Sequence, residues 1–168
     1  MKKGEIEDLA MRMSDTGAFR PNKEDAISDD SIIEEVRKLK NLEATDRYGR
    51  TALANAACYE RTAVVEFLLN LGADVNTADK MGYTPLHFAV QKGNTAIAEM
   101  LLKHGADISA KDAWGNNSIS QAKHTAPHEL FELLLKYGAD PTVKNNYGNS
   151  AIDRFAAYPD VLAVLNKR

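Results

Sequence analysis

Residues 79 to 107 decide the fold: Asp79-Lys80-Met81-Gly82-Tyr83-Thr84-Pro85-Leu86-His87-Phe88-Ala89-Val90-Gln91-Lys92-Gly93-Asn94-Thr95-Ala96-Ile97-Ala98-Glu99-Met100-Leu101-Leu102-Lys103-His104-Gly105-Ala106-Asp107. The first five residues are turn chemistry, with an aspartate able to bond nearby amides and a glycine free to take positive φ. Thr84-Pro85 then opens a helix, because threonine caps well and proline suits the first helical position, whose N–H has no partner anyway. Leu86, Ala89 and Val90 share one helical face. Gly93-Asn94 breaks the run, and Ile97, Ala98, Leu101 and Leu102 mark a second amphipathic helix that Gly105 ends. The unit reads turn, helix, turn, helix.

The same grammar recurs on both sides. Gly49, Gly82, Gly115 and Gly148 stand 33 residues apart, and Gly72, Gly105 and Gly138 form a second ladder with that step. Leu71-Gly72-Ala73-Asp74, His104-Gly105-Ala106-Asp107 and Tyr137-Gly138-Ala139-Asp140 repeat the flanking text, and five residues after each come Asp79, Asp112 and Asn145. An internal repeat of this period means a stacked array, since no short helix pair can hide its apolar stripe alone.

The run Gly82-Tyr83-Thr84-Pro85-Leu86-His87-Phe88-Ala89, followed by Leu101-Leu102-Lys103-His104-Gly105-Ala106-Asp107, resembles the ankyrin repeat. The resemblance implies an all-α ankyrin-repeat solenoid of about four helix-turn-helix units, 46–78, 79–111, 112–144 and 145–168, with residues 1–45 as an irregular helical N-terminal cap. Departures are informative. Thr51-Ala52-Leu53-Ala54 replaces the Thr-Pro-Leu-His pattern mildly, whereas Asn117-Ser118-Ile119-Ser120 and the following Gln121, Lys123 and His124 contain few strong helix formers. That third-unit helix is expected to be the weakest. In the fourth unit Val161, Leu162 and Leu165 fit the second-helix stripe only with about two residues deleted before them. Near the N-terminus, Ser31-Ile32-Ile33-Glu34 has capping-box spacing and Ile32, Ile33, Val36 and Leu39 form a stripe where a preceding unit's second helix would lie. Ile6, Leu9, Ala10 and Met13 predict a further helix, and 14–29 a long loop.

Composition narrows the function. The chain has 168 residues, 44% hydrophobic and 27% charged, with a formal charge of −3 and one cysteine, Cys58. A disulfide scaffold is excluded, and no run of 18 apolar residues predicts a membrane span. With no secretion signal, the cytoplasm is the expected compartment. The mild negative charge argues against nucleic acid. His124 and His128 have i,i+4 spacing, but Pro127 interrupts them and no acid or cysteine is in register, so no metal is expected. His87 is a consensus residue of the resembled family whose ring bonds backbone. Cys58 reads as a half-buried thiol, and every repeated glycine already serves a turn or a cap, so neither a nucleophile nor a phosphate loop is expected. No catalytic residue and no cofactor emerge.

What the resemblance implies instead is binding, through a concave groove lined by turn tips and by outward positions at the end of each first helix. Those positions are Arg47, Tyr48, Arg50, Cys58 and Tyr59 in the first unit, then Lys80, Met81, Tyr83, Gln91 and Lys92. The third unit supplies Ala113, Trp114, Asn116, His124 and Thr125, and the fourth Asn146, Tyr147, Asn149 and Tyr158. The strongest candidates are Arg47, Tyr48, Arg50, Tyr59, Lys80, Met81, Tyr83, Lys92, Trp114, Asn116, Tyr147 and Asn149. Five of six tyrosines, counting Tyr158, and the only tryptophan fall among the groove positions, while Phe67, Phe88, Phe131 and Phe155 fall inside helices. Phenol and indole rings dominate interface hot spots. Four basic residues and no acid in the set favour an acidic protein surface.

As a short array without a catalytic domain, the chain resembles the small inhibitory members of the family. The texture of Asp112-Ala113-Trp114-Gly115-Asn116 and Lys144-Asn145-Asn146-Tyr147-Gly148-Asn149-Ser150 is similar to bacterial ankyrin proteins that act as immunity factors against toxins. The main alternative is a general scaffold or adaptor in a larger complex. Charge is also divided. Residues 1–46 hold 12 acids and 8 bases, or −4, leaving +1 for the rest, so the acidic N-terminal segment is a second expected contact for a protein partner.

Overall fold

The computed structural model describes residues 9, 10, 13 and 28–166. Helices α1 (Asp29–Val36), α2 (Ala52–Cys58), α3 (Thr62–Asn70), α4 (Pro85–Lys92), α5 (Thr95–Lys103), α6 (Ser118–Gln121), α7 (His128–Lys136), α8 (Ala151–Arg154) and α9 (Pro159–Leu165) follow in order. Among the described residues the only β pairing is an isolated bridge between Lys111 and Asn117. The even-numbered helices pack in one row, α2 on α4, α4 on α6 and α6 on α8, and the odd-numbered ones in a second, from α1 through α9. Between the rows lies one continuous core, in which Leu53, Val64, Leu68, Leu86, Ile97, Leu101, Ile119, Leu130, Leu134 and Val161 have almost no exposure.

Local chemistry places the helices as their sequences require. The Thr51 hydroxyl accepts from the Ala54 amide at 3.3 Å, the Asn94 amide oxygen from the Ile97 amide at 3.0 Å, and Ser150 and Asp153 form a reciprocal capping box. Thr84 precedes Pro85 as predicted, and Gly93 closes α4 with φ of 77°. One start differs from expectation. Ser28, not Ser31, caps α1, its hydroxyl accepting from the Ser31 amide at 3.3 Å, because the helix begins three residues earlier at Asp29.

The helix α1 packs on α3 and so occupies the place of a preceding unit's second helix, with Ile32 and Val36 buried. Leu9 and Met13 are also buried, and the Met13 carbonyl accepts from Arg61 Nε at 3.3 Å. Arg61 reaches Asp29 as well, at 3.2 Å, tying the N-terminal segment to the first unit. Ile6 and the loop expected at 14–29, up to residue 27, lie outside the described residues.

What aligns the units is a ladder of turn tips. Asp46 Oδ1 accepts from the amides of Tyr48 and Arg50, at 2.8 and 3.0 Å. Asp79, Asp112 and Asn145 do the same for the residues two and four positions on. Each braced turn then donates to the one before it: Lys80 N to Tyr48 O (3.0 Å), Ala113 N to Met81 O (2.9 Å) and Asn146 N to Trp114 O (2.9 Å).

The two irregular units are shortened where their sequences departed from pattern. Helix α6 has four residues against eight in α4, and Ala122 ends it with ψ of 148°. Helix α8 also has four; in α9 Val161 and Leu165 are buried as the two-residue deletion requires, but Leu162 of the expected stripe is only half-buried and Val164 is buried instead. Within α6 the Ser118 hydroxyl is buried with no hydrogen-bond partner among the described residues. Ser118 stands at the first helical position, where α4 has Pro85, but its amide is the second donor of the Lys111–Asn117 bridge, which a proline would remove. Ser118→Ala is therefore the informative change, expected to raise stability by about 1 kcal/mol by removing an unsatisfied buried hydroxyl. Urea unfolding checks it. A lowered midpoint would mean that the hydroxyl has a partner that matters.

Candidate functional site

The turn ladder sets residues 48, 81, 114 and 147 in line, one per unit. Among the described residues six large apolar side chains are exposed: Tyr48, Leu71, Met81, Trp114, Tyr147 and Tyr158. Five of them belong to the groove positions expected from sequence, and only Leu71, just past the end of α3, does not. Tyr147 is the most open, at 71%.

Beneath this stripe lies a second, half-buried layer. Tyr83 packs on Phe88 with ring centroids 5.2 Å apart and on His87 at 5.4 Å, and meets Trp114 edge-on at 6.4 Å and 87°. Burial and the neighbouring Asp112 and Asp79 push its phenol pKa up, so the ring presents a neutral hydroxyl. Arg50 lies 4.6 Å above Phe88 and 5.4 Å from Tyr48, and its Nε donates to Asp79 Oδ2 of the next unit at 3.3 Å. Its charge is thus already matched by a carboxylate that is itself 3% exposed. Arg47 stacks on Tyr48 at 5.1 Å. Lys80 is exposed and donates to the Arg47 carbonyl at 2.6 Å, while Lys92 is exposed at the end of α4.

The other expected positions divide by role. Tyr59 is half-buried against the core. Asn116 donates to Asp112 and accepts from Asn145 Nδ2 at 2.8 Å, so its side chain joins the third turn to the fourth. Asn149 is exposed, its amide bonded to Asn145 Oδ1. Sequence reasoning treated all twelve as outward groove positions; the bracing by Arg50 and Asn116 depends on which groups the neighbouring unit brings opposite them.

Titratable groups offer little chemistry. Burial raises the Cys58 thiol pKa, against the opposing pull of Arg50 and Lys92, so the thiolate is disfavoured. Among the described residues no group of three His, Cys, Asp or Glu side chains is placed to hold a metal ion. His124 stacks on Tyr158, with centroids 4.4 Å apart, and His128 Nε2 lies 3.3 Å from Asp160 Oδ2. No helix of the described residues is long and apolar enough to cross a membrane.

His87 is fully buried and bridges two units. The Thr84 amide donates to its Nδ1 at 3.2 Å, and its Nε2–H donates to the Asn116 carbonyl at 3.4 Å. Desolvation lowers its pKa, outweighing the Asn116 bond and the pull of Asp112 and Asp79. An unfolded histidine titrates near pH 6.5, so the unfolded chain binds the proton more readily, and the contribution of neutral His87 is present above that pH. Stability is expected to fall as pH drops from about 7 towards 5, by at most about 1.4 kcal/mol per unit. His87→Asn, which keeps an acceptor near Nδ1, should be less stable at pH 7 but show a flatter slope over this window. Equal slopes for the two proteins in urea titrations would count against the assignment.

Stacked helix pairs aligned by hydrogen-bonded turn tips, with an aromatic stripe along those tips, define a repeat solenoid that works by binding. A family model described as ankyrin repeats (3 copies) matches residues 25–112, and the chain belongs to the ankyrin-repeat family. The match takes in α1 and ends at Asp112, while the helix pairs continue through residue 165. No curated protein matches the chain significantly. Ankyrin repeats are protein–protein interaction modules, and the family is in general a non-catalytic binding scaffold.

Proposed function

We propose that the protein grips one protein partner with the face formed by the turn tips and the even-numbered helices, and thereby inhibits or neutralises it in the cytoplasm. The observation that carries this reading is the exposure of Tyr48, Met81, Trp114 and Tyr147 in one line, over a braced aromatic layer. Rigid rings that do not need ordering on association lose little entropy when covered. Arg47, Lys80 and Lys92 add positive charge along the same face, which suits an acidic partner surface. The division into a capping segment, 1–45, and four units from residue 46 belongs to this proposal, as does a second contact by the acidic N-terminal segment. The similarity of the third and fourth turns to toxin immunity proteins supports neutralisation over scaffolding.

The test begins with a pull-down from the native cell and mass spectrometry of what is retained. Trp114 is the only indole, so its emission should shift when the purified partner covers the face. The partner's own activity should fall in the complex. An unchanged activity would replace neutralisation by scaffolding, and an unchanged emission would place the interface elsewhere.

A further inference from the structure

Loss of the last helical turn in two adjacent units leaves a recess that a regular array would fill. Helix α6 stops at Gln121 and α8 at Arg154, whereas α2 runs for seven residues and α4 for eight. The recess is lined by Lys123, His124, Thr125, Arg154, Phe155 and Tyr158. At about 280 Å³ it falls below the roughly 300–1,000 Å³ that drug-sized ligands occupy, so it suits a side chain or two.

Its chemistry is one-sided. Lys123 and Arg154 bring two positive charges, and the lining contains no carboxylate. Of the nearest acids in sequence, Asp153 lines the adjoining hollow with Arg154 and accepts there from the Ser150 amide and hydroxyl, and Asp160 faces His128. Among the described residues neither Lys123 nor Arg154 forms an ion pair. One guanidinium nitrogen of Arg154 donates to the Ser120 carbonyl, which fixes the group while leaving other N–H donors unused. The floor is the buried Phe155, 5.9 Å from the guanidinium carbon, and the stacked His124 and Tyr158 join the two shortened units at one side. The Arg154 charge is also felt at Tyr83 of the aromatic layer.

We infer that this recess is an anchor subsite for an acidic side chain, aspartate or glutamate, carried by the protein partner. The inference rests on the reading of this face as a protein-binding groove, and it adds a specificity element to it. Arg154 supplies a charge-assisted, geometrically fixed contact, and Lys123 a second charge at the rim.

The test is a titration of the full chain, labelled with nitrogen-15, with a decapeptide of alternating Glu and Ala, its Gln-for-Glu counterpart and inorganic phosphate. The Glu peptide should move amide resonances of 122–125 and 154–158 and bind about tenfold more tightly than the Gln peptide. Arg154→Gln should remove that preference. Lys123→Gln, at an exposed position, should weaken the Glu peptide about threefold with unchanged thermal unfolding. Trp114→Ala should leave its affinity within about twofold, because the anchor is local. Equal binding of Glu and Gln peptides overturns the inference. So does phosphate binding as tightly as the Glu peptide, or a preference that survives in both cationic variants. Failure of the groove reading is seen separately, in partner binding that ignores the aromatic stripe.

Discussion

Gly82→Ala is expected to destabilise the protein by about 3–5 kcal/mol, a large part of the roughly 5–15 kcal/mol that holds a domain together. Two effects add. Gly82 has φ of 77°, where an L side chain costs about 1–2 kcal/mol. A β-carbon there would also lie 2.9 Å from the Ala113 amide nitrogen and 3.0 Å from two backbone atoms of Asp112. Backbone cannot swing aside as a side chain does, so the third turn must shift. That weakens the Ala113 N to Met81 O bond, worth about 1 kcal/mol, and strains the packing around it. Gly148 is the control. Its φ is 80°, yet a β-carbon added there would meet nothing within 4 Å, so Gly148→Ala should cost only about 1–2 kcal/mol. Because each unit touches only its neighbours, Gly82→Ala should also broaden the urea transition by uncoupling the first two units from the last two. Equal costs at the two glycines would refute the role given to the turn ladder.

Replacing Tyr48 and Trp114 together by alanine is expected to weaken binding of the partner recovered by pull-down by about 2–4 kcal/mol, or roughly 30- to 1,000-fold. Both rings are exposed, so folding should change little, which calorimetric unfolding of the free variant checks. Tyr83 is less suitable for this purpose, since it packs on His87, Phe88 and Trp114 and its loss would disturb the layer below. Leu71→Ala provides the comparison, as an exposed apolar residue outside the stripe; it should change affinity by less than about 0.5 kcal/mol. If Leu71→Ala weakens the complex and the double variant does not, the partner binds a different face.

The repeat was legible because its causes are local. Positive φ at Gly49, Gly82, Gly105 and Gly138, the Thr84 and Asn94 caps and the Pro85 start are all written within a few residues of the place they act. Even the irregular units announced themselves, through Asn117-Ser118-Ile119-Ser120 and through the two residues missing before Val161. The start of α1 was misplaced by three residues because two serines there have similar surroundings, and only the one in extended conformation, Ser28, can cap.

Period, helix order, core stripe and the alignment of Tyr48, Met81, Trp114 and Tyr147 were determined by the amino-acid sequence alone, since a 33-residue step and short-range sterics suffice for them. Tertiary structure decided the rest. Arg50 looked like a free groove cation, but stacking sets Asp79 of the next unit 3.3 Å from it. Asn116 looked like a contact residue, but the fourth turn occupies its amide. The recess at Lys123 and Arg154 exists only because two shortened helices lie side by side. Each of these depends on which group a neighbouring unit brings within a few ångströms, and hydrogen bonds and charges act over that distance whatever the separation along the chain.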